Sequence, residues 1–150
     1  MTLAYLFWHR PQPDALGYRA ALLDFPAALA AEPPAGFVRS WVQPAPTPGW
    51  WLDVSVVADW SALGTLNAEA VAGSRRASHD VVARLAAEGT GGVYALLSGR
   101  VQAPTAGERW LAKPAGVPYP AWHAQLMAGA VWQRQLTLGP GAEYWLVDPD

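Results

Sequence analysis

Apolar residues fall along this 150-residue chain in short runs whose period changes repeatedly, and those changes mark the elements. Residues 3–10, LAYLFWHR, are apolar and aromatic on both alternating faces. That is the pattern of an interior strand covered on both sides, and Pro11 and Pro13 end it. From Asp14, a suitable N-cap, ALGYRAALLDFPAALAAE repeats apolar residues at helical spacing, and Pro26 is expected to kink the helix or restart it behind Asp24. GFVRSWVQ (36–43) and WWLDVSVVAD (50–59) read as strands that pair as a hairpin across the loop PAPTPG. Ser61 can cap a helix through SALGTLNAEAVA, and Ser74 or Ser78 can cap SHDVVARLAAE, with the glycines of EGTGG as its stop. A strand at 92–101, GVYALLSGRV, follows. The remainder holds a short segment ERWLAKP, a short helix in YPAWHAQLMAG and a hairpin over 131–147 that turns at Gly139-Pro140-Gly141.

Strand, helix, strand, strand, helix, strand is the ferredoxin-like βαββαβ order, an α+β fold with an antiparallel sheet and helices on one face. The expected organisation is one domain over 1–150, with a core at 3–101 and a C-terminal helix and β-hairpin extension at 102–150. By topology the core resembles the dimeric α/β-barrel superfamily, which includes small monooxygenases, heme-degrading enzymes and chlorite dismutase-like proteins. The resemblance implies a homodimer whose two sheets meet as a barrel, with a ligand pocket between sheet and helices. The extension has no counterpart in the minimal fold.

Individual strand faces add detail. GFVRSWVQ sets Phe37, Arg39, Trp41 and Gln43 on one face. Arg39 between two aromatics can stack on them, and an ion pair with Asp53 is favoured over a ligand's anion. On WWLDVSVVAD the wholly apolar face, Trp50, Leu52, Val54 and Val56, is expected to meet the helices. The partly polar face is Trp51, Asp53, Ser55 and Val57. In the late hairpin Val131, Gln133, Gln135 and Thr137 read as a solvated face, while Arg134 shares its face with Trp132 and Leu136 and is expected to pair with Glu143 across the turn.

Composition narrows the function classes. Nine arginines and one lysine are scattered in a chain of net charge −2, so no footprint for nucleic acid or an anionic membrane is present. The absence of cysteine removes disulfides and thiolate chemistry, and with an N-terminus unlike a signal peptide the expected location is cytoplasmic. Nine tryptophans exceed what packing requires, as in a set that lines a cavity or an interface. There is no GxSxG, no Walker sequence and no spaced carboxylate pair.

His9, His79 and His123 lie on separate elements without ligand spacing, so no metal site is expected. No cofactor is expected either. Heme is the alternative, because heme-degrading members of the superfamily use an asparagine, a tryptophan and a histidine, and this chain has Asn67, Trp60 and His79. The candidate pocket residues are Trp8, His9, Arg39, Trp41, His79, Trp122, His123 and Arg134. The expected protein is a homodimer that binds a small apolar or aromatic ligand in a Trp-lined pocket between sheet and helices. A cofactor-independent or heme-linked monooxygenase-like enzyme is one alternative, and a non-catalytic dimerisation or partner-binding module is the other. Residues 108–147 are expected to close one side of the pocket.

Overall fold

Strand β1 (Leu3–Pro11) runs through the middle of the sheet, between β3 (Trp51–Val57) and β4 (Ala86–Gly99), antiparallel to both. This is the place its two apolar faces require. The computed structural model describes residues 1–13, 15–71, 83, 86–137 and 141–150. With β2 (Phe37–Pro44), α1 (Tyr18–Ala31) and α2 (Trp60–Val71), these strands form the ferredoxin-like core in the order β2-β3-β1-β4.

The local signals differ from expectation in several places. Helix α1 starts at Tyr18 behind Gly17, which takes the left-handed φ of 73°, and runs through Pro26 without a break. Leu22 and Leu29 on the same helix are fully buried, and their packing outweighs the hydrogen bond that proline cannot donate. The expected cap at Asp14 lies outside the described residues. Asp59, not Ser61, caps α2, its Oδ1 accepting the Ala62 N–H at 2.8 Å. Most of the helix expected over 78–88 also lies outside the described residues. Its last residues, Ala86, Ala87 and Glu88, instead open β4, so the glycine run belongs to a strand and not to a helix stop.

The extension does more than decorate. Strands β5 (Glu108–Leu111), β6 (Ala130–Thr137) and β7 (Tyr144–Val147) continue the same antiparallel sheet past β4 to give seven strands in the order β2-β3-β1-β4-β6-β7-β5. The sheet curls until its two edge strands meet. Gln43 Nε2 on β2 lies 3.1 Å from both carboxylate oxygens of Glu108 on β5, and Trp145 Nε1 donates to Glu108 Oε2 at 2.6 Å. The result is a half-closed barrel with the helices outside.

The barrel interior is apolar and dominated by tryptophan. Leu6, Trp8, Leu52, Val54, Val56 and Tyr94 from the core meet Ala130, Trp132, Trp145 and Val147 from the extension. Trp132, Trp145 and Trp110 stand in register on adjacent strands, and the last two stack at 5.2 Å and 11°. The apolar face of β3 therefore points into the barrel, reversing the expected orientation. The partly polar face, Asp53 and Ser55, turns to the helices, where Val57, Leu3 and Val93 meet Leu29, Ala62 and Leu66. The physical reason is that the enclosed interior has no water for a carboxylate, whereas the helix side keeps open volume.

Helix α3 (Tyr119–Gln125) packs on the outer face of the β6–β7 hairpin, where Trp122 and Leu126 cover Val131, Tyr144 and Leu146. That face was expected to be solvated. Gln133 donates to the Tyr144 hydroxyl at 3.2 Å beneath this cover. Among the described residues no helix is long and apolar enough to cross a membrane.

Candidate functional site

A cavity of about 720 Å³ lies between the helix side of the sheet and helices α1 and α2. Its floor follows from an exchange of side chains between neighbouring strands. On β1 the residues at period two, Tyr5, Phe7 and His9, lean along the strand, with Tyr5 and Phe7 stacked at 6.4 Å and Phe7 and His9 at 5.5 Å. On β4 the neighbouring positions are glycines. A Cβ on Gly89 would run into the Phe7 ring, and one on Gly91 would meet the Tyr5 hydroxyl and lie 2.9 Å from its Cζ. Glycine here admits the rings and makes a flat aromatic shelf.

Helix α2 forms the facing wall. Trp60, Leu63, Gly64 and Asn67 recur at helical spacing and all line the cavity, while α1 adds Leu22, Phe25 and Pro26. Gly64 leaves open space where a side chain would stand. Polar atoms enter from Asp53, Ser55, Asn67 and Glu88.

Past Phe7, at the end of the floor, sits a buried polar chain. His9 is fully buried; its Nδ1 hydrogen-bonds the Tyr18 hydroxyl and its Nε2 lies 3.3 Å from Asp53 Oδ2. The Nε2 contact is within ion-pair distance but too poorly aligned to count as a hydrogen bond, and Asp53 Oδ1, also buried, has no hydrogen-bond partner. Burial, reinforced by the negative charge of Asp53, pushes the Tyr18 phenol up to about 12, and the same two causes raise Tyr5.

The structure separates the residues that the sequence grouped. Trp41 borders the cavity and His9 continues the row past Phe7 without lining it, but Trp8 points to the opposite side of β1, into the barrel. Arg39 is exposed and sits 5.4 Å over the Trp41 ring; a bulge after Phe37 turns Phe37 toward the helices, and Asp53 is engaged by His9 instead of Arg39. Trp122 and His123 lie outside the hairpin, with His123 Nε2 2.8 Å from the Tyr144 hydroxyl. Arg134 donates to the Gly141 carbonyl at 3.0 Å, in place of the expected pair with the Glu143 carboxylate. His79 lies outside the described residues.

Most of the tryptophans fill the barrel, so the cavity is lined by Tyr5, Phe7 and Phe25 with only Trp41 and Trp60 at its border. Among the described residues no three histidine, aspartate or glutamate side chains converge as a metal site. The residues missed in the sequence were Tyr5, Phe7, Tyr18, Asp53 and the glycines of β4. For Tyr5, Phe7 and the glycines the signal was the shared period of two on β1 and β4; Tyr18 and Asp53 carried none.

Solved structures with this geometry share the fold. SnoaB from Streptomyces nogalater, described as a cofactor-independent oxygenase, is 14% identical over 69% of this chain and 97% of its own, with a TM-score of 0.51. Rv0793 from Mycobacterium tuberculosis is 18% identical over 69% of this chain and 99% of its own, with a TM-score of 0.51. A Caulobacter crescentus protein proposed as an antibiotic biosynthesis monooxygenase is 17% identical over 61% and 86%, with a TM-score of 0.51. At such identities the likeness is one of fold, the ferredoxin-like fold, with no specific family assigned. No protein-family model and no curated protein matches the sequence.

Proposed function

We propose that the protein binds a small, flat, largely apolar molecule in the cavity between sheet and helices. The observation that carries this reading is the aromatic shelf of Tyr5 and Phe7, kept open by glycines at 89 and 91 and faced by apolar side chains across about 720 Å³. A volume of that size with a few polar groups suits a drug-sized ligand. Filling it from the helix wall is the test. Gly64→Leu adds a side chain where nothing lies within 4 Å of the new Cβ and replaces glycine inside a helix, a change worth about 1 kcal/mol of added stability. Naphthalene titrated by tryptophan fluorescence should bind the wild type with one site per chain and bind the more stable variant at least several-fold more weakly. Equal binding by both would place the naphthalene site elsewhere and sink the reading.

A monooxygenase-like activity without a bound cofactor is the second reading. What favours it is the fold likeness to an oxygenase together with Trp60 and Asn67 on the cavity wall. Oxygen uptake in the presence of 1-naphthol, lost in Asn67→Ala, supports it; no uptake at any concentration leaves the binding reading alone. Heme has no further support here, because the proposed axial residue His79 is outside the described residues. The chain is taken as one domain that pairs with itself, although its own β5, β6 and β7 occupy the inner sheet face through which that pairing was expected. A dimer would use the outer surface, and a single 16.1 kDa species at micromolar concentration in sedimentation would remove it.

A further inference from the structure

We propose that the ligand carries a protonated amine on its apolar body, and that Asp53 receives the ammonium. This rests on the reading of the cavity as a small-molecule site. Asp53 stands on β3 directly opposite Phe7 in register, at the end of the aromatic shelf. Its two oxygens have different surroundings. Oδ2 faces His9 Nε2 at 3.3 Å, while Oδ1 is buried with no hydrogen-bond partner. The Asp53 side chain is 27% exposed and lines the cavity, so a donor brought by a ligand meets a carboxylate that the fold leaves incompletely paired.

His9 faces Asp53 through Nε2 and Tyr18 through Nδ1. An ionised carboxylate only accepts, so the Nε2 that faces it carries the ring proton. Nδ1 pairs with the hydroxyl of Tyr18, whose phenol burial pushes up to about 12.

Three observations favour an ammonium over a neutral donor. Among the described residues that line the cavity there is no lysine, arginine or histidine. The other carboxylate on its wall, Glu88, is already held by Arg10 at 2.6 Å. Asp53 pairs with Phe7 across the β1–β3 ladder and lines the same cavity, so a cation bound at the carboxylate stays close to the aromatic residues of the shelf. The Tyr5 phenol is raised first by burial and then by the negative charge of Asp53.

The test uses three probes of one shape, measured by calorimetry near neutral pH on the intact protein: 1-naphthylmethylamine, 1-naphthylacetate and uncharged 1-methylnaphthalene. The wild type should bind the amine at least tenfold more tightly than the carboxylate. Asp53→Asn should lower the amine affinity by about tenfold and leave 1-methylnaphthalene unchanged. Equal or tighter binding of the carboxylate by the wild type overturns the proposal, and that comparison needs no variant to fold. So does an Asn variant that folds and keeps the amine affinity. Failure of 1-methylnaphthalene itself to bind strikes at the cavity reading, a result distinct from loss of charge preference.

Discussion

Two glycines decide whether the cavity has a floor. Gly89 and Gly91 pair with His9 and Phe7 across the β1–β4 ladder, and a methyl group at either position competes with the Phe7 or the Tyr5 ring, each leaning in diagonally, for the same space. Gly91→Ala should force the Tyr5 ring off the shelf and into the cavity. Overpacking of this kind costs about 1–3 kcal/mol, visible as a lower urea midpoint with an unchanged slope, and naphthalene binding should weaken with it. An unchanged midpoint and unchanged binding would mean that the shelf is not held by the glycine. In sequence the run GTGG follows a helical pattern and imitates a helix stop. Only the two-residue period that Gly89 and Gly91 share with Tyr5 and Phe7 distinguishes a strand that admits rings.

Helix α3 answers the question of what the tail does beside the cavity. Its seven residues are too few to hold a helix in water, so its apolar side must dock. It docks on the hairpin, where Trp122 meets the Tyr144 ring edge-on at 5.9 Å, on the opposite side of the sheet extension from the barrel interior and away from the cavity. Trp122→Ala should destabilise the fold by about 2–3 kcal/mol, less than a fully buried tryptophan because the side chain is half-exposed, and leave naphthalene binding unchanged. Thermal unfolding and titration on the same sample check both halves. A coupled loss of binding in folded protein would return the helix to the pocket mouth.

At the scale of the whole molecule the sheet closes through one seam. Trp41 Nε1 donates to Gln43 Oε1 at 2.8 Å, Gln43 donates to Glu108, and Trp145 donates to the same carboxylate, so a polar chain joins the first and last strands of the sheet. Glu108→Ala leaves the Gln43 amide and the Trp145 indole without their acceptor. Hydrogen bonds to a charged group are worth about 1.5–3 kcal/mol, and a loss in that range is expected, with a red shift of tryptophan emission as water reaches the barrel. A variant as stable as the wild type, with unshifted emission, would show that the tryptophan packing alone closes the barrel. The same closure covers the apolar inner face that the sequence assigned to a second copy of the chain.

What the sequence determined by itself is local or periodic. The interior position of β1 followed from its two apolar faces, and the order of elements from the switches between period two and period 3.6, because both are properties of a few consecutive residues. Which face of β3 meets the helices was not legible: the pattern separates Asp53 and Ser55 from Leu52, Val54 and Val56, but either side can be buried until something decides which is dry. The extension decided it. By supplying Trp110, Trp132 and Trp145 to the inner face it enclosed that side away from water and left the polar set to the cavity. His9, Tyr18 and Asp53 lie far apart in the chain and are joined only by strand register and by a helix laid over the sheet. No spacing in the sequence encodes such a contact, because it forms only when separate elements pack.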